Sequence, residues 1–223
     1  KAVHIKRIRL FGVSGSITAD EANNLLEEGE KQVGDSVDFR LAKIGLLMAR
    51  KRKPTVDELK AIGAVKPDTN FQKPELHRLW FGLGEAAMRQ SDEGMTQAAL
   101  DFFRQAAEAQ PLDLVARALI IDLAIRLNQE TVWEKALREI AEAEGSDGPI
   151  YNLARVAIRL KSYKPGDTDT LRDLRARAEN VKKKRPGWSR AYLALAQIDE
   201  LEGLNDSALQ NLQEAIRLDR KST

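Results

Sequence analysis

The sequence has no cysteine, few aromatic residues and almost no excess of charge of either sign. Without cysteine, the 223-residue chain forms neither disulfides nor thiolate metal sites. Aromatic residues make up 5% of the chain, so alanine, leucine and isoleucine must provide most of the packing, which favours closely packed helices. Charged residues reach 31%, yet the net charge is only +2, and this balance gives no global attraction to nucleic acid or to anionic membranes.

The residues that would carry metal, phosphate or membrane chemistry are also missing. His4 and His77 lie far apart, and neither has the i, i+4 partner of a metal-binding helix. The glycines of residues 12–16 are not followed by a P-loop lysine, and no run of about 18 apolar residues could cross a membrane. We therefore expect no catalytic residue, cofactor, metal site or membrane insertion. Because the chain starts at Lys1 without methionine, we expect a piece of a longer protein, which leaves the compartment open.

The first residues differ from the rest. Apolar side chains alternate partly between Val3 and Leu10, which favours a strand or an irregular arm over residues 1–17. Thr18 then has Glu21 three positions later, the spacing of a capping box, so the first helix is predicted to begin there.

After this arm, one spacing of apolar and small residues recurs four times. Its clearest copy consists of Trp80, Leu83, Gly84, Ala87, Ala99, Phe103, Ala106 and Pro111. Later copies start at Ile120, Ile150 and Tyr192. The spacing predicts pairs of helices in which small residues allow close approach, and each pair must stack on the next to cover its apolar face.

Residues 18–74 carry a degenerate version of the pattern, whereas residues 75–223 carry the clear array. In the degenerate part we predict helices over 19–33, 37–50 and 55–64, with Gly45 in the place that Gly84 has later. In the last copy, polar Asp199 replaces an apolar residue, and we expect it to face solvent at an uncovered end of the array.

The stretch LWFGLGEAAM followed by AALDFFRQAAEAQP resembles the repeat of the tetratricopeptide-repeat family, W-x2-L-G-x2-Y and then A-x3-F-x2-A-x4-P. Ala87 stands where the family has tyrosine, and the other copies vary at the large positions. The resemblance implies an all-α, right-handed superhelical solenoid of antiparallel helix pairs, with about five repeats after the N-terminal arm.

In this family, side chains of the first helix of each pair line a concave groove. The resemblance places one row of groove residues at Phe81, Ile121, Tyr151 and Leu193, and a second row at Glu85, Ile125, Arg155 and Gln197. We expect this groove to take an extended or helical apolar segment, with Glu85 and Arg155 setting its register. Two alternatives stay open: the arm, or the helix predicted over 114–127, could fill the groove from within. Phe81 and Ile121 do not match the family's carboxylate clamp, so binding of acidic chaperone tails is not inferred.

These patterns predict a non-catalytic scaffold or adaptor that binds a protein or peptide. The alternatives are self-association through the ends of the solenoid, giving a homo-oligomer, and regulation of an enzyme or sensor domain attached to this segment. The basic runs 50–53 and 182–185 end helices, where positive charge is favourable, and they lack interleaved aromatic residues. We therefore expect no nucleic-acid partner.

Overall fold

A computed structural model describes residues 19–49, 52–65 and 70–220, and this part of the chain is all-helical, with eleven helices and no strand. The predicted all-α fold of successive helix pairs is confirmed. The predicted arm, the cap at Thr18 and the first half of the basic run 50–53 lie outside the described residues.

The first of two compact units comprises residues 1–123. Its helices are α1 (Ala19–Val33), α2 (Val37–Ala49), α3 (Val56–Gly63), α4 (Lys73–Met88), α5 (Glu93–Ala109) and most of α6 (Leu114–Arg126). The most extensive contact joins α4 to α5, and α2 packs on both α1 and α4. Helix α3 starts with a capping box, because the Thr55 hydroxyl accepts from the Glu58 amide while the Glu58 carboxylate accepts from the Thr55 amide.

The α4–α5 pair depends on a glycine. A Cβ atom at Gly84 would lie 2.7 Å from Cζ of Phe103, whose ring is completely buried. The Phe81 ring meets the Phe103 ring edge-on, with 5.2 Å between centroids, and Ala99 and Ala106 are fully buried beside it. The close approach predicted from the small residues of this repeat is therefore present.

The degenerate part is built differently from the prediction. Gly45 is exposed, and no heavy atom outside its own helix backbone lies within 4 Å of a Cβ placed there. The core side of α2 is instead marked by Phe39, which is buried against Ala22 and Leu26 of α1. The equivalence of Gly45 to Gly84 was wrong, because the large ring of Phe39 turns a different face of α2 inward.

The second unit comprises residues 124–223. It contains the end of α6 and the helices α7 (Glu130–Glu144), α8 (Pro149–Lys161), α9 (Thr168–Lys184), α10 (Ser189–Leu201) and α11 (Asn205–Asp219). Each of the helices α7 to α11 packs on the next, and α8 also touches α10. Helices α8, α9 and α10 share a core formed by Val156, Leu171, Leu174, Ala178, Leu195 and Ile198. The first helices of two successive pairs, α8 and α10, are thus neighbours.

Two glycine-to-alanine variants test the close approach in the first unit. Gly84→Ala should lower the free energy of unfolding by about 1 kcal/mol, because overpacking costs about 1–3 kcal/mol and exceeds the roughly 0.5–1 kcal/mol that alanine adds to helix stability. Gly45→Ala has open space and should raise it by about 0.5–1 kcal/mol. Urea denaturation measures both values, and equal stabilisation by the two variants would contradict the tight contact.

Candidate functional site

In the second unit, four of the predicted groove residues lie on two neighbouring helices. Tyr151 and Arg155 are one turn apart on α8, and Leu193 and Gln197 are one turn apart on α10. Leu193 is 43% exposed and Gln197 is exposed, whereas Tyr151 and Arg155 are half-buried. Helices α8 and α10 touch, and we call these four residues the α8/α10 face.

Polar contacts around the first turn of α8 fix which side of this helix faces the core. The Tyr151 amide donates to the Glu144 carboxylate of α7 at 2.5 Å. The side chain of Asn152 is buried: its amide nitrogen donates to the Gly148 carbonyl at 2.9 Å, and its oxygen accepts from Arg177 of α9 at 3.1 Å. With Asn152 turned inward, the Tyr151 side chain lies at the edge of the buried surface.

Helix α10 is held by a buried carboxylate, and this corrects a prediction. Asp199 was expected to face solvent, but it is 0% exposed. Its two oxygens accept from Arg175 of α9 at 2.6 Å, and from Ser207 and Asn211 of α11 at 2.7 and 2.8 Å. The prediction was wrong because α11 folds back over this side of α10 and supplies donors to it. Leu193 is consequently left on the outer side.

The network keeps this buried aspartate charged. Burial alone would raise the pKa of the Asp199 carboxyl, but the hydrogen bonds from Ser207, Arg175 and Asn211 outweigh it and hold that pKa below its ordinary value. Arg175 also pairs with Glu202 at 2.7 Å. The aspartate therefore links α9, α10 and α11 as an ion at neutral pH.

The other four predicted groove residues are placed differently. Phe81 is half-buried against Phe103 and lies 5.6 Å from the His77 ring. Ile121 is 0% exposed, so its side chain packs inside the protein and offers no surface to a partner. Glu85 is exposed and Ile125 is half-buried. Of the large apolar residues in the predicted row, Leu193 presents the most open side chain.

The second basic run has aromatic neighbours that sequence analysis missed. The Lys182 ammonium lies 5.1 Å from the Tyr192 ring centroid, and the Arg185 guanidinium lies 5.2 Å from the Trp188 ring. The rings come from the turn and the helix after the run, so a search for aromatic residues inside it could not find them. These contacts occupy the rings with the protein's own cations.

Two further carboxylates have lowered pKa values because they take part in local structural contacts. Arg52 and the capped turn at Thr55 lower the pKa of Glu58 to about 2, and hydrogen bonds from Thr170 lower that of Asp167, which caps α9. Within residues 19–49, 52–65 and 70–220, no group of three or more histidine, aspartate or glutamate side chains is placed to hold a metal ion. In the same ranges, no helix combines the length and apolar character needed to cross a membrane. The α8/α10 face thus offers apolar and hydrogen-bonding contacts.

No family model and no curated protein matches the sequence. Among solved structures, the chain is similar to "MamA MSR-1 C2", at 15% identity and a TM-score of 0.41, over 83% of this chain and 95% of that one. It is also similar to the chain described as "Crystal structure of MamA", at 18% identity and a TM-score of 0.41, over 75% and 88%. Similarity at this level assigns neither a family nor an activity.

The Asp199 network gives a pH-dependent prediction. Asp199→Asn should lower the free energy of unfolding of the second unit by about 2 kcal/mol at pH 7, because hydrogen bonds to a charged group are lost. Since the pKa of Asp199 is lowered in the folded state, the carboxylate stabilises the fold at any pH above its ordinary pKa of 3.8. This contribution disappears as the pH falls through the lowered pKa.

Chemical denaturation between pH 7 and pH 2 measures this difference. The stability gap between the native chain and Asp199→Asn should narrow as the pH falls below 3.8. Glu202→Gln, which removes the outer carboxylate from Arg175, is the matched control and should cost less at pH 7. A stability gap that stays constant down to pH 2 would show that the carboxylate is not the stabilising group.

Proposed function

We propose that this chain is a non-catalytic protein-interaction module of the tetratricopeptide-repeat type, with residues 18–74 as degenerate and 75–223 as regular repeats. In this proposal, the α8/α10 face binds an apolar segment of a partner protein. The observation that carries the proposal is the exposure of Leu193: a leucine in the middle of a packed helix is 43% open, next to a helix that carries the half-buried ring of Tyr151.

The polar members of the face indicate what the partner segment carries. Arg155 has no carboxylate partner among the described residues, and Gln197 is exposed one turn from Leu193. Tyrosine and arginine are the side chains that most often anchor interfaces. The segment proposed therefore presents apolar side chains to Tyr151 and Leu193 and a carboxylate to Arg155.

The proposed binding surface lies in the second unit alone. Phe81 and Ile121 belong to the predicted apolar row, but Phe81 packs against Phe103 and Ile121 is fully buried. Replacing Phe81 by a charged residue would disturb the Phe103 contact, so a loss of binding in such a variant would not identify a site. Leu193 and Arg155 are the appropriate positions to change.

Selection from a peptide-display library against the native chain tests the proposal. Selected peptides should contain an apolar core next to an acidic residue. Their binding, measured by fluorescence anisotropy, should weaken at least about tenfold in Leu193→Glu, because a central apolar anchor contributes about 2 kcal/mol. Arg155→Ala should weaken the binding of peptides that contain the acidic residue more than the binding of the same peptides with that residue replaced by a neutral one.

The matched control is Leu204→Glu. Leu204 directly precedes α11, outside α8 and α10, and is 49% exposed, so this variant adds the same charge in place of a similarly open leucine. It should bind the selected peptides as the native chain does. If no peptide is enriched, or if Leu193→Glu and the native chain bind equally well, the α8/α10 face is not a peptide-binding site.

A further inference from the structure

The last described helix carries an uncovered apolar stripe. Leu209 is 56% exposed and Ile216 is 55% exposed, and Leu212 lies half-buried between them. The spacing i, i+3, i+7 puts the three side chains on one face of α11, which we call the α11 stripe. The adjoining side of α11 is the packed one, where Ala208 and Ala215 are buried.

The positions of Leu209 and Ile216 can be compared with the equivalent positions of the preceding helix pair. Leu174, Ala178 and Val181 of α9 correspond to Ala208, Leu212 and Ala215 of α11, so Arg175 and Lys182 correspond to Leu209 and Ile216. Both of these α9 residues contact the next helix. The Arg175 guanidinium lies 2.6 Å from the Asp199 carboxylate, and the Lys182 ammonium lies 5.1 Å from the Tyr192 ring.

Earlier second helices follow the same rule. In α7 the corresponding residues are Leu137, which is half-buried, and Glu144, which accepts from the Tyr151 amide of α8 at 2.5 Å. In α5 they are Leu100 and Ala107, and both are buried. In the earlier second helices, the two positions are therefore partly or fully covered, or bonded to the next helix. In α11 they are the most exposed, since more than half of each side chain is open.

We propose that the α11 stripe is an interface for a second copy of this chain, with α11 of one copy crossing α11 of the other in antiparallel orientation. Arg175 of α9 donates to Asp199 of α10, and Leu209 stands at the corresponding position of α11. A helix like α10 is therefore a poor occupant of the stripe, because its carboxylate would meet a leucine in place of an arginine. Helix α11 itself has the required chemistry, since it is amphipathic and its apolar stripe is uncovered.

A two-fold axis makes the stripe complementary to itself. An antiparallel crossing near Leu212 and Gln213 sets Leu209 of one copy opposite Ile216 of the other, and the reverse contact follows by symmetry. Asp206 in the first turn then lies near Arg217 in the last turn of the second copy, where Arg217 also pairs with Glu214 of its own helix. This interface is independent of the proposed peptide-binding face.

Sedimentation equilibrium of the native chain tests the dimer. The mass should rise with concentration from 24.9 kDa towards twice that value. Leu209→Glu with Ile216→Glu should stay monomeric, since four carboxylates would face one another across the axis. The matched control, Gln210→Glu with Asn180→Glu, adds the same charge at exposed positions off the stripe and should dimerise as the native chain does.

Each other outcome overturns the proposal. A native chain that remains monomeric at every concentration has no such interface. A dimer that persists in the Leu209→Glu, Ile216→Glu variant uses another surface, and loss of the dimer in the control as well would show that general charge repulsion is responsible. Circular dichroism of all three chains confirms that the helices are retained.

Cysteine cross-linking tests the orientation of the two helices in the same chain. Because the sequence has no native cysteine, one introduced thiol reports one position. Gln213→Cys lies next to the two-fold axis and should form a disulfide-linked dimer under mild oxidation, whereas Gln210→Cys, turned away from the stripe, should not. Equal cross-linking at both positions, or none at Gln213→Cys, would contradict the antiparallel crossing.

Discussion

The close approach of paired helices is the constraint on which the rest of the structure depends. Two helices can meet at the distance seen between α4 and α5 only where one of them lacks a side chain, and Gly84 provides this gap for the Phe103 ring. A single helix pair cannot bury its outer apolar faces by itself, so it must pack on further helices. The stacking of α7 to α11 on one another follows from the same requirement.

Buried polar residues determine which side of each helix faces outward. Asn152 and Asp199 turn inward on α8 and α10 and bond to neighbouring helices, while Tyr151 is half-buried and Leu193 is exposed. Arg40 has a comparable role in the first unit. It pairs with Asp35 and donates to the carbonyls of Ile62 and Ala64 at 2.8 and 2.6 Å, which fixes the end of α3 against α2.

Local periodicity predicted the helix pairs, the approximate ends of the first three helices and the Gly84 contact, because these depend on neighbouring residues. It did not predict which helix covers a given side chain. Asp199 is a polar residue at an apolar position, and only the fold of α11 over α10 shows that three donors reach it. Ile121 and Leu209 are both aliphatic in sequence, yet one is buried and the other is open, because coverage depends on residues distant in the chain.

Hydroxyl-radical footprinting of the native chain measures side-chain coverage most directly. Leu193, which belongs to the α8/α10 face, should be strongly oxidised, whereas the fully buried Phe103 and Ile121 should be oxidised little. Oxidation of Ile121 to the same extent as Leu193 would contradict the packing of α6, because the Ile121 side chain would then be open to solvent.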